Sequence, residues 1–336
     1  MKMMRSAVLS LASLWALALL ETPQVRCQPS VQLGMAPDSF DDQYASCTEE
    51  METDFAPRLL EKENSRHPLL GAMWGNLSAV WETRKKGLSL PTGFRDEHGI
   101  AILVYTDSSK PLYKQLNKAM REAGASRDNY MSNFHFKALH YYLTRALQLL
   151  RADCSQMSKT KLFRGVGSLR FEPSGSGIFR FGQFTSSSLD LALAQSYGTA
   201  TFFTLHSCFG VHIEAFSALP AEREVLIPGS EVFNVSSFAR EGNRSVFILH
   251  STNRTCSHYN CAYLGGEKSQ ECVYNTGRSI QVSSNMGPVL FGAIVLINVA
   301  TPKLFANCKL ISIISTGLEN VHARLITELA EERYDP

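Results

Sequence analysis

Two carboxylates stand two residues apart in Ala218–Pro228 (ALPAEREVLIP), between an apolar lead-in and an apolar, strand-like exit. In an extended chain, positions i and i+2 point to one face, so Glu222 and Glu224 are expected to look into one space. Two acids in one pocket are costly unless a cation or a proton compensates them, and their titrations couple. That pairing suits chemistry at a carbon that becomes positive. The same Glu-Arg-Glu tripeptide is also common in solvated turns, so the pair needs support from elsewhere in the chain. Two further features offer it. Lys161-Leu-Phe-Arg164-Gly165 puts an arginine near the end of an apolar strand, where its planar fork suits phosphate or carboxylate, although a structural salt bridge uses the same residue. Phe181-Gly-Gln183-Phe184-Thr185-Ser186-Ser187-Ser188 carries a run of hydroxyls that can hydrogen-bond a carboxylate or a ribose. Ser187 or Ser188 can equally cap a helix over 189–197.

Other chemistries lack their residues. No GxGxxG follows a strand, and no P-loop, HExxH or GxSxG is present. A Rossmann dehydrogenase, a kinase and a zinc hydrolase are therefore poorly supported. The eight cysteines are irregularly spaced without a CxxC pair, which favours disulfides over zinc.

The elements that must position these residues follow from periodicity. Apolar residues between 48 and 86 recur at helical spacing, with a break near Pro68. Gly99–Thr106 is a short apolar run bounded by turn signals and reads as a buried strand. Leu112–Ala123 is a charged amphipathic helix, and Phe136, Leu139, Leu143, Ala146, Leu147 and Leu150 mark a strong amphipathic helix. His140, alone on that helix, reads as a packed side chain rather than a ligand. From Lys161 onward the pattern changes to short runs separated by Gly and Pro: 161–166, 177–185, 200–205, 211–216, 224–227, 231–235 and 245–249. Helices first and strands after predict an α+β architecture in one continuous domain over about residues 35–275.

Composition bounds the setting. The chain has 336 residues, 44% hydrophobic and 19% charged, which is ordinary for a globular protein. Residues 1–27 hold a basic start (Lys2, Arg5) and an apolar run of about 14 residues, the pattern of a secretory signal peptide and short of a membrane span. Without them acidic and basic residues balance, so nucleic acid is not an expected partner. Export implies an oxidising compartment, and sequons at Asn76, Asn234, Asn243 and Asn253 fit that route. The last three crowd one stretch, which is expected at the surface. The tail, 276–336, is apolar from Met286 and charged at its end. A glycolipid-anchor signal with Ser283-Ser284-Asn285 as its site, a marginal membrane span and a non-native extension are all compatible with it, and a membrane association rests on that tail alone.

Arginine, then Phe-x-Ser-x-Ser, then Glu-x-Glu, on successive strand segments, resembles the R–S–E triad of arginine-specific mono-ADP-ribosyltransferases. Flanking segments resemble the vertebrate ecto-enzymes of that family: Ser39-Phe-Asp-Asp-Gln-Tyr44, Gly93-Phe-Arg-Asp-Glu-His98, 137–150, Gly182-Gln-Phe-Thr-Ser-Ser-Ser188 and Glu224-Val-Leu-Ile-Pro228. Residues 256–268 are similar to the secreted branch of those enzymes. The resemblance covers about residues 35–275. It implies a helical N-terminal part on a β-sandwich-like NAD-binding core, NAD as co-substrate, no metal, and protein arginines as acceptors. It implies that Glu224 stabilises the ribose cation, that Ser186 orients it, that Arg164 grips the NAD phosphates, and that Glu222 receives the acceptor guanidinium. Tyr105, Gln183 and Ser217 are implied to line the NAD site. Tyr197 is a candidate to stack on nicotinamide, which core packing explains equally well. Cys47–Cys261 and Cys154–Cys208 are the implied disulfides, with Cys256 and Cys272 left as a possible third pair. NAD glycohydrolysis, with water as acceptor, and a catalytically silent NAD-binding protein remain as alternatives.

Overall fold

The computed structural model describes residues 30–276 except Ser168. The expected leader, 1–27, and the tail beyond Thr276 lie outside the described residues. A short extended segment β1 (Ser30–Gln32) opens the chain. The helical part follows: α1 (Thr48–Glu50), a π-turn over Met51–Phe55, α2 (Ala56–Arg66), α3 (Pro68–Arg84), α4 (Asp96–Thr106), α5 (Leu112–Ala123), α6 (Arg127–Asn133) and α7 (Lys137–Leu150). After the short α8 (Cys154–Met157) come β2 (Leu162–Val166), β3 (Arg170–Glu172), β4 (Ile178–Phe179), β5 (Thr185–Ser188), α9 (Leu191–Ser196), β6 (Thr201–His206), β7 (Val211–His212), β8 (Glu224–Ile227), β9 (Glu231–Glu241), β10 (Arg244–Ser257) and β11 (Val273–Thr276). Among the described residues, helices precede the sheet, so the α+β expectation holds. No helix among them is long and apolar enough to cross a membrane.

One strand expectation fails. Gly99–Thr106 lies in helix α4, and every residue from His98 to Thr106 is buried. A helix buried on all sides carries no amphipathic stripe, so its sequence cannot be told from a buried strand by period. The helix signal was in the flank, with Asp96 and Glu97 in the first turn and His98 Nδ1 accepting from Arg95 N at 2.9 Å. Two other runs are shorter than expected. The 177–185 run divides because Arg180 leaves the sheet for Asp41 and the carbonyls of Met35 and Ala36. The 211–216 run keeps only β7, because Phe216 N and Ser217 N both turn back to the Ile213 carbonyl.

The strands β4-β9-β10-β6-β2-β5-β8-β7 form one mixed sheet, with β11 added on β10 and only β10–β6 parallel along the path. The path nearly breaks between β2 and β5, which share the single register pair Phe163–Ser188. The sandwich-like character arises there. Val225 and Ile227 of β8 pack into one core with Phe203, Leu205, Phe233, Phe247 and Leu249 from the longer part of the sheet. Leu226, on the opposite face of β8, joins the helical core with Phe184, Trp81, Tyr105 and Leu139. Strand alternation thus gives β8 two cores and directs Glu224, in phase with Leu226, toward the helical side.

The N-terminal lead-in is tied to the C-terminal strand by buried acids. Asp41 pairs with Arg180 Nη1 at 2.7 Å, both side chains almost wholly buried, and accepts from the backbone N–H of His258 and Tyr259. Asp42 accepts from the N–H groups of Tyr44, Cys261 and Ala262, and burial pushes its carboxyl up to about 6 despite those donors. Removing one partner of such a buried pair typically costs about 3–5 kcal/mol. Disulfides join Cys47–Cys261, Cys154–Cys208 and Cys256–Cys272. His140 packs in the core and shares a 2.8 Å hydrogen bond with Tyr44 Oη; burial pushes its imidazole down to about 3, which keeps it neutral. The four sequon asparagines are exposed.

Candidate active site

Three neighbouring strands meet at the near-break in the sheet. β2 carries Arg164, β5 carries Ser186 and β8 begins at Glu224. Because β2 and β5 pair at only one position, the Arg164 side chain can cross to β5, where its Nη1 donates to the Ser186 carbonyl at 2.7 Å. Between β5 and β8 the register sets Ser188 opposite Glu224 and Ser186 opposite Leu226. Ser186 and Ser188 therefore share a face with Glu224, whereas Ser187 points to the other side and donates to the Val225 carbonyl at 2.9 Å.

Gly165 explains why the strand-end arginine is followed by glycine. A Cβ there would lie 2.1 Å from the Ala194 carbonyl oxygen and 2.4 Å from that of Gly198. The missing side chain lets α9 and the turn after it press directly on β2. Gly198, at φ +127°, closes that contact against Gly167.

Glu224 is 5% exposed. Its carboxyl is pushed up to about 7, first by burial, which the Ser186 hydroxyl bond opposes; the nearby Glu222 charge adds to the rise and Arg164 counters it. The pair does share one space, but not by strand alternation. Glu222 ends a 3-10 turn (Pro220–Glu222), and Arg223 adopts the left-handed conformation at φ 47°, ψ 47° before β8 starts. That single residue re-aims the chain, so that Glu222 is half-buried beside the strand instead of within it. Its carboxylate accepts from Tyr197 Oη at 2.6 Å, and its carbonyl accepts from Ser188 Oγ at 2.8 Å.

The remaining expected site residues occupy different depths. Tyr105 is buried behind β5; its hydroxyl donates to the Phe184 carbonyl at 3.1 Å and accepts from Asn117 Nδ2 at 3.2 Å. Burial pushes the Tyr105 phenol up to about 12. Ser217 is fully buried, and its hydroxyl accepts from Leu219 N at 3.0 Å. Gln183, half-buried at the entry to β5, accepts from Arg121 on α5. Tyr105 and Ser217 are thus buried, while Gln183 lies nearer the surface. The supposed Ser187 or Ser188 cap over 189–197 is replaced by Asp190, which accepts from Ala192 N and Leu193 N. Ser188 instead accepts from Asp190 N while it holds Glu222.

Several supports escaped the sequence reading. Arg84 on α3 donates to the carbonyls of Phe216 and Ser217, and Thr106 Oγ1 accepts from Ala218 N at 2.8 Å. Together they anchor the segment that leads to Glu222. Arg84 closes α3 as an ordinary basic residue in a helix's last turn, and nothing local marks it. Asn117 had one available signal: a short polar residue between Leu116 and Met120 on the buried side of α5. Cys256, His258 and Cys272 approach within metal-ligand spacing, but the two sulfurs are joined to each other.

In chemical terms, the site offers a guanidinium, a buried carboxylate braced by a serine hydroxyl, and a second carboxylate two residues away. Known proteins share this plan. The model of the NAD:arginine ADP-ribosyltransferase family matches residues 33–257. Human ecto-ADP-ribosyltransferase 5 is 54% identical over 261 residues, covering 77% of this chain and 89% of its own. Rabbit (Oryctolagus cuniculus) GPI-linked NAD(P)(+)–arginine ADP-ribosyltransferase 1 is 41% identical over 263 residues, covering 74% of this chain and 80% of its own. The crystal structure of the eucaryotic mono-ADP-ribosyltransferase ART2.2 superposes with a TM-score of 0.59 at 39% identity, over 69% of this chain and 99% of that one. Variants of ART2.2 have been solved with NADH and with NAD. With family model, relatives and fold in agreement over the residues that carry the site, this chain belongs to the NAD:arginine ADP-ribosyltransferase family.

Proposed function

We propose that this protein transfers ADP-ribose from NAD to arginine side chains of proteins outside the cell and releases nicotinamide. The observation that carries this reading is the arrangement of the two acids: Glu224 buried and braced by Ser186, with Glu222 held beside it by Tyr197 and Ser188. As the nicotinamide–ribose bond breaks, its electron pair leaves with nicotinamide and positive charge develops at the ribose carbon. Glu224, ionised, stabilises that charge in a site where water screens it little. Ser186 orients Glu224, and Arg164 supplies the cation for the pyrophosphate. Glu222 receives the acceptor guanidinium by paired hydrogen bonds and takes the proton released when its nitrogen attacks the ribose carbon. Gln183, Tyr105 and Ser217 set the walls against which NAD lies. Action outside the cell is supported by the leader-like residues 1–27, three disulfides, four exposed sequons, and relatives that carry the prefix ecto.

The test separates the two acceptors. Purified protein is incubated with NAD and an arginine mimic, and nicotinamide, free ADP-ribose and the ribosylated guanidine are quantified. Glu222→Gln is expected to lower the arginine product at least about tenfold more than free ADP-ribose, the loss of one charge-assisted hydrogen-bond pair. Equal loss of both products would contradict the role given to Glu222. Release of nicotinamide without any arginine product from the unaltered protein would leave hydrolysis as its activity.

A further inference from the structure

Tyr197 stands half-buried at the end of α9. Tyr197 Oη donates to Glu222 Oε1 at 2.6 Å, a charge-assisted bond across 25 positions of sequence. The segment that ends in Tyr197 also holds the Glu222 main chain. Ser188 Oγ donates to the Glu222 carbonyl at 2.8 Å, and Leu189 N donates to the Arg223 carbonyl at 3.3 Å. This segment is itself fixed: Asp190 caps α9, and α9 rests on Gly165 with no side chain between. Glu222 is therefore clamped at backbone and side chain by one rigid element. Such a clamp matters for a residue on a 3-10 turn, where the ladder of a strand is absent and a free carboxylate would sample several rotamers.

We propose that Tyr197 is a positioning residue for the acceptor: its hydroxyl fixes the Glu222 carboxylate in the orientation that receives a guanidinium, and so sets the division between transfer to arginine and hydrolysis by water. The inference rests on the function proposed above. The bond occupies one lone pair of Oε1, so the guanidinium enters through Oε2 or shares Oε1. Burial and the adjacent Glu222 charge both hold the Tyr197 phenol well above its ordinary range, so it remains a donor throughout the working pH range.

The experiment uses the full chain, with agmatine as the guanidinium probe, and compares the unaltered protein with Tyr197→Phe, Glu222→Gln and the double variant. Tyr197→Phe keeps the ring and is expected to fold. It should raise the KM for agmatine about tenfold while the KM for NAD and the rate of hydrolysis stay within about twofold. In the Glu222→Gln background the same change should cost clearly less than it does in the unaltered protein, because a neutral amide oxygen accepts the tyrosine's bond more weakly than a carboxylate does. An agmatine KM within about twofold of the unaltered protein's would overturn the proposal. So would equal losses in NAD affinity and hydrolysis, which would put Tyr197 at the NAD site instead, or full additivity of the two variants. If the unaltered protein makes no agmatine product, the proposed function fails first, and this inference goes with it.

Discussion

Replacing Glu224 with glutamine removes one charge from the centre of the site and changes almost nothing in shape. Transfer and hydrolysis should both collapse, because no anion then faces the ribose cation. Stability should move in the opposite direction, with a pH signature of its own. In the folded protein the Glu224 carboxyl sits at about 7, against an ordinary value of 4.5. Between those values the folded state binds a proton that the unfolded chain has already released. Stability from this group is thus fully present below about pH 4.5 and lost as pH rises to about 7. The displacement corresponds to about 3 kcal/mol at 1.36 kcal/mol for each pH unit. Glutamine does not ionise and carries no such loss. Glu224→Gln should therefore melt higher than the unaltered protein at pH 8, by about 6–12 °C at 2–4 °C per kcal/mol for a domain of this size. The gain should shrink through pH 6 and vanish near pH 4.5. Asp42 and Glu63, whose carboxyls burial raises to about 6 and about 8, titrate in both proteins and cancel in the difference. Thermal melts of the two proteins from pH 4.5 to 9 provide the assay. A stability difference that is flat with pH, or a glutamine variant that is less stable at pH 8, would refute the reasoning that Glu224 is a strained, desolvated carboxylate.

Gly165→Ala should destabilise by about 1–3 kcal/mol and weaken NAD turnover, since its Cβ must displace the backbone of α9 next to Arg164; chemical denaturation together with the KM for NAD checks both parts. Replacing Cys256 and Cys272 together by serine should cost about 3 kcal/mol from the opened loop and leave kcat unchanged, because that bridge joins β10 to the C-terminal side of the domain, away from Glu224; denaturation and steady-state turnover separate the two effects.

Much of the fold could be read from local pattern, because a half-buried element repeats its burial every turn or every second residue. α5 shows that repeat, the last part of α7 shows it after a start that is buried throughout, and Pro68 marks the boundary between α2 and α3. α4 does not, since it is buried on every side, and only its acidic first turn distinguished it from a strand. The Ser39–Tyr44 segment and residues 256–262, noted separately in the sequence, turn out to be two halves of one buried hydrogen-bonded joint.

The sequence by itself determined which residues could do chemistry here and in what order: an arginine at a strand end, a hydroxyl run, and two acids two residues apart. It also determined the helix-then-strand plan. Only the tertiary structure decided how the acids come together. The left-handed Arg223 turns Glu222 out of the strand, and Tyr197 and Ser188 hold it from 25 and 34 positions away. It alone decided that Tyr105 and Ser217 are buried, that Arg84 anchors the segment leading to Glu222, and that Asn117 bonds the Tyr105 hydroxyl. The physical reason is range. Periodicity reports which face of an element meets the core, whereas hydrogen bonds between distant elements depend on how those elements dock, and no window along the chain contains both partners.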